Sequence, residues 1–211
     1  MSYTDRIYVR YIYTKGTTAD RWESLQGKIS ARENRGFTDR GELKTEATFY
    51  SLDIYDAYYP DDDRKILSLS QSVDNIMGGT GSKKFEDFID IVGWIYEETE
   101  PQYVYGMHMV QEGEIGEWHD ELNQPVTAES LADNRITQPT WLMLFSPAMV
   151  KEYGRKWLHD LPVDRIEEFD DGAIMTISVD DFSDHEMALD IYESMADRTD
   201  QLTEAFTDYE M

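Results

Sequence analysis

Cysteine is absent from the 211 residues, which excludes disulfides, thiol nucleophiles and cysteine-ligated zinc or iron–sulfur centres. That absence leaves the compartment open. Lysine is scarce, with 8 residues against 24 aspartates. No apolar run approaches the roughly eighteen residues that a membrane helix needs. The opening MSYTDRIYVR lacks the basic-then-apolar order of a secretory leader, which predicts a cytoplasmic location. Catalytic signatures are missing too. No Ser-His-Asp order, paired-carboxylate motif or cofactor fingerprint stands out, so the sequence assigns no catalytic residue and no cofactor.

Acid is what the chain has in excess, 44 Asp and Glu against 19 Lys and Arg, a formal charge of −25. Such a field repels phosphate backbones and argues against ordinary nucleic-acid binding. Three readings of it stay open: adaptation to a salt-rich, haloarchaeal-like cytoplasm, an acidic face that docks a basic partner, and a nucleic-acid mimic. The first is favoured because acid occurs in nearly every segment after residue 45. Residues 1 to 44 run the other way, with a net of +3. They either lie against the acidic remainder or form a contact patch for an anionic partner or a second copy of the chain.

The N-terminal half alternates strand and helix patterns. RIYVRYIY at 6 to 13 places Ile7, Val9 and Tyr11 on one face of a strand. Residues 18 to 33 read as a helix with Trp22, Leu25 and Ile29 inward, and 34 to 44 as a polar, Gly-bearing mobile loop. Strands are expected at 45 to 55 and 65 to 70, with the turn Tyr58 to Asp63 between them. Asp61, Asp62 and Asp63 lack the spacing of a calcium loop and read as a solvated acidic turn. Gly78 to Lys84 resembles a phosphate cradle, but Ser82 precedes Lys83, so the required Gly-x-x-x-x-Gly-Lys-Ser/Thr order is broken. A helix follows, with Phe85, Phe88, Ile89, Val92, Ile95 and Tyr96 on one face. Then comes a strand over 102 to 112, with Tyr103, Tyr105 and Met107 alternating against Val104, Gly106 and His108.

Residues 113 to 138 are irregular and hold Glu114, Glu117, His119, Asp120 and Glu121, with a helical turn near Thr127 to Asp133. His119, joined by His108, could ligate a divalent metal, but no diagnostic spacing supports this, and no metal ligand is assigned. From 139 the chain reads PTWLMLFSPAMVKEYGRKWLHDLPVDRIEEFDDGAIMTISV. It predicts a buried strand at 141 to 145, Ser146 as helix cap with Pro147 at the first helical position, and one helix to about His159. Gly154 would be a close packing contact in that helix. Strands at 165 to 169 and 173 to 179 join through Asp170-Asp171-Gly172 as a hairpin. A last helix follows from Ser183 or Asp184, with Met187, Leu189, Ile191, Tyr192, Met195, Leu202 and Phe206 inward.

The aromatic strand ending in Ser-Pro, Met149-Val150 and Gly154-Arg155 on a helix, Leu161-Pro162, and the Glu-rich strand before Asp-Gly together resemble the C-terminal part of polymorphic-toxin and type VI immunity proteins. The resemblance covers residues 139 to 179 and implies a protein that neutralises a cognate toxin without catalysis.

The element order predicts an α+β protein with a largely antiparallel sheet and helices on one face. It would be a single domain of two ferredoxin-like halves, 1 to 112 and 139 to 208, around the irregular connection. The expected function is an acidic, immunity-like inhibitor of a basic toxin partner, binding through Asp61, Asp62, Asp63, Glu114, Glu117, Asp120 and Glu121, with neither nucleic acid nor membrane as partner. The alternatives are an assembly protein of a halophile or its virus, forming homo-oligomers through a sheet edge, and a metal-dependent hydrolase.

Overall fold

A computed structural model of the chain describes residues 6–14, 17–30, 36–37, 42–44, 49–56, 65–76, 83–108, 125–137 and 139–178. The chain divides into two compact units, Met1–Met109 and Val110–Met211. Both combine antiparallel strands with helices, an α+β architecture.

In the first unit, strand β1 (Arg6–Ile12) occupies the middle of the sheet, flanked by β5 (Lys65–Ser72) and β6 (Tyr103–His108), both antiparallel to it. Beyond β5 come β4 (Phe49–Asp56), β3 (Glu42–Lys44) and β2 (Gly36–Phe37). Period-2 alternation sorts the side chains. Val9 stands opposite Leu69, and Leu69 opposite Leu52; one pair along, Tyr11 stands opposite Leu67 and Val104. These apolar residues are buried on the face that receives helix α1 (Thr18–Ser30) and helix α3 (Lys83–Thr99). Contacts from that face fix α3 in place. Tyr50 donates its hydroxyl to Asp87 at 2.8 Å and packs on Phe88 with ring centroids 5.8 Å apart. Tyr11 donates to the Val92 carbonyl at 3.4 Å, and burial pushes its phenol pKa well up. A single turn, α2 (Val73–Ile76), links β5 to the segment before α3.

The segment expected as a loop, 34 to 44, instead contributes two short strands. Phe37 stands opposite Leu43, and Leu43 opposite Tyr50. Leu43 is fully buried. One apolar side chain with a place in the core outweighs the polar composition around it, because strand pairing supplies the backbone partners that solvent would otherwise supply.

Among the described residues the first helix of the second unit is α4 (Ala128–Ala132), started by a reciprocal cap: Ser130 N–H donates to Thr127 Oγ1 at 3.1 Å and Thr127 N–H to Ser130 Oγ at 2.8 Å. Strands β7 (Leu142–Phe145), β9 (Ile174–Ile177) and β8 (Arg165–Glu168) follow in the order β7-β9-β8, all antiparallel. The β8–β9 hairpin turns through Gly172, whose φ of 93° suits glycine. The Ala173 N–H donates to Asp171 Oδ1 at 2.9 Å inside that turn.

The expected single helix 147 to 159 is two, α5 (Pro147–Tyr153) and α6 (Arg155–His159). Gly154 separates them at φ 90°, ψ 125°. A Cβ there would meet nothing within 4 Å, so Gly154 is required for its backbone angles and not for close packing. Ser146 precedes Pro147 without capping through its side chain, and its Oγ is buried with no hydrogen-bond partner. Tyr153 holds the unit together. Its ring stacks on Trp157 at 5.3 Å, meets Phe145 edge-on at 5.6 Å, and its hydroxyl accepts from Ile136 N–H at 2.9 Å. The second unit does not repeat the first among the described residues. It has three strands against six, and the last helix expected from Ser183 or Asp184 lies outside the described residues.

Candidate functional site

The surface that stands out is the carboxyl end of α3, with the sequence Trp94-Ile-Tyr-Glu-Glu-Thr-Glu-Pro101. An α-helix presents unsatisfied carbonyls and about half a negative charge at this end. Basic side chains are stabilising there, yet the last turn of α3 has none. Glu97 and Glu98 occupy it, and Glu100 follows. Each carboxylate so placed costs roughly 0.3–1 kcal/mol at an exposed site.

Backbone strain adds to this. Glu100 lies at φ 47°, the left-handed region that an L side chain enters at about 1–2 kcal/mol relative to glycine. Its N–H still reaches the Tyr96 carbonyl at 2.7 Å, so the turn is complete. Below it, Thr99 is fully buried, donates to the Ile95 carbonyl at 2.6 Å and accepts from the Tyr13 hydroxyl at 2.9 Å. Burial raises the Tyr13 phenol pKa, more than the Thr99 hydrogen bond and the Arg21 charge lower it. Gln102 N–H donates to the Ile12 carbonyl at 2.7 Å. The strained end is therefore fastened to the end of β1.

Neighbouring α1 partly compensates the carboxylates. Arg21 donates to Glu100 Oε2 at 3.3 Å, with 40% and 71% of the two side chains exposed. At such exposure an ion pair contributes about 0–1 kcal/mol. Lys28 pairs with Glu98 Oε2, while Trp94 Nε1–H donates to Glu98 Oε1 at 3.1 Å. Glu97 is exposed, as are Asp90 on the same helix and Asp20 and Glu23 on α1. The result is an outward-facing group of carboxylates on the two helices α1 and α3.

Among the described residues of the second unit several charges pair with one another. Glu168 on β8 accepts from Arg155 and from His159 Nε2, the latter at 2.6 Å. These hydrogen bonds, Arg155 first, hold its carboxyl below the usual carboxylate range. Arg155 also donates to the Gly172 carbonyl at 3.3 Å, tying α6 to the hairpin turn. Arg135 pairs with Glu152, Lys156 with Asp160 and Arg165 with Glu167.

The residues singled out in the sequence, Asp61, Asp62, Asp63, Glu114, Glu117, Asp120 and Glu121, all lie outside the described residues, as do His119 and Gly78 to Ser82. Among the described residues no group of three or more His, Asp or Glu is placed to hold a metal ion, and no helix is long and apolar enough to cross a membrane. The α3 end carries no motif that marks it as a site in the sequence. Its legible signal was three glutamates at the end of a helix where Lys or Arg belongs. No protein-family model matches this sequence, and no curated protein or solved structure matches it either.

Proposed function

We propose that this chain is a non-enzymatic binding protein, an immunity-like inhibitor that covers a basic toxin domain with its carboxylates. The observation that carries the reading is the end of α3, where Glu97, Glu98 and Glu100 stand against the helix dipole and Glu100 takes a left-handed backbone. Local stability favours neutral or basic residues and glycine at these positions. A protein keeps such strain where the site serves something outside its own fold. With the formal charge of −25, these carboxylates steer a cationic partner and speed its association. The acidic segments Asp61 to Asp63 and Glu114 to Glu121, outside the described residues, add to the same net charge.

The test is affinity capture of the tagged chain from its host at the salt of the host cytoplasm, in parallel with Glu97→Gln/Glu100→Gln. The reading expects one stoichiometric partner with a basic domain, recovered by the parent chain and depleted several-fold by the variant. Recovery of the chain alone in defined multiples would overturn it in favour of self-assembly. So would a partner that the variant retains in full.

A further inference from the structure

We draw no further inference here: the strongest candidate, the surface patch along the outer edge of strand β8 (Arg165–Glu168) in the second unit, carries nothing because nothing in the structure shows what covers it.

Discussion

Among the described residues the two units treat charge differently. In the second, Arg135, Arg155 and Arg165 each pair with a carboxylate, and Glu168 meets both Arg155 and His159. In the first, Arg6 is served by two serine hydroxyls, and Glu97, Glu98 and Glu100 crowd the helix end that repels them, with Lys28 and Arg21 pairing only the last two. The contrast teaches that ion pairs alone do not mark function. Closed pairs at exposed positions add little and tie α6 to its hairpin, whereas the α3 glutamates stand against local preference, which is what the proposed binding role would explain.

The contrast concerns the surfaces, so truncating either core should be equally severe. Phe88 is fully buried against Tyr50 and Tyr153 is buried between Phe145 and Trp157. Phe88→Ala and Tyr153→Ala should each cost about 3–5 kcal/mol in urea unfolding followed by circular dichroism. A loss below about 1 kcal/mol in one of them would show that its unit lacks a cohesive core. Gly172→Ala comes next, at roughly 1–2 kcal/mol, because alanine at φ 93° is strained whatever the space around it. Thermal unfolding reads that loss. It would loosen the turn that Arg155 grips and weaken the closed side of the comparison.

A smaller effect is expected where Tyr13 fastens the α3 end. Tyr13→Phe removes its hydrogen bond to Thr99 and should cost about 1 kcal/mol at neutral pH. The folded phenol has a raised pKa, so its contribution is complete below the ordinary tyrosine value near 10 and is lost as pH rises toward the folded one. The parent chain should therefore lose stability above about pH 10 more steeply than the variant, in denaturant midpoints measured across that range.

Long periodic segments were the most legible parts of the sequence. The inward face of α3 and the alternation of β1, β5 and β6 follow directly from residues such as Phe85, Phe88, Val9 and Val104, which are buried as expected. Short elements were not legible. Leu43 alone carries β3 into the core, and no window of periodicity reports one residue. Gly154 was visible as a helix interruption, but whether a glycine is needed for close packing or for positive φ depends on neighbours that only the fold supplies. Side-chain groupings were harder still. Arg6 beside Ser51 and Ser70 joins residues 45 and 64 positions apart, a juxtaposition set by strand order. The α3 end was hidden for another reason, because acid is so common in this chain that three more glutamates look ordinary until the helix polarity beneath them is known.

The central claim is that the α3 carboxylates are held against the stability of their own fold while Glu168 supports its own. The most direct measurement compares the unfolding free energies of Glu97→Gln/Glu100→Gly and Glu168→Gln with the parent chain at pH 7, under one set of conditions. The first variant relieves the helix dipole and the left-handed strain, and should be more stable by about 0.5–1 kcal/mol even after losing the Arg21 pair. The second removes an acceptor whose ionised form is favoured in the folded state, and should be less stable at pH 7. That loss should vanish as pH falls through the depressed pKa of Glu168, where the carboxylate is already protonated. Opposite signs at pH 7 are the predicted result. Destabilisation by both substitutions would mean that the α3 glutamates serve the fold, contradicting the account.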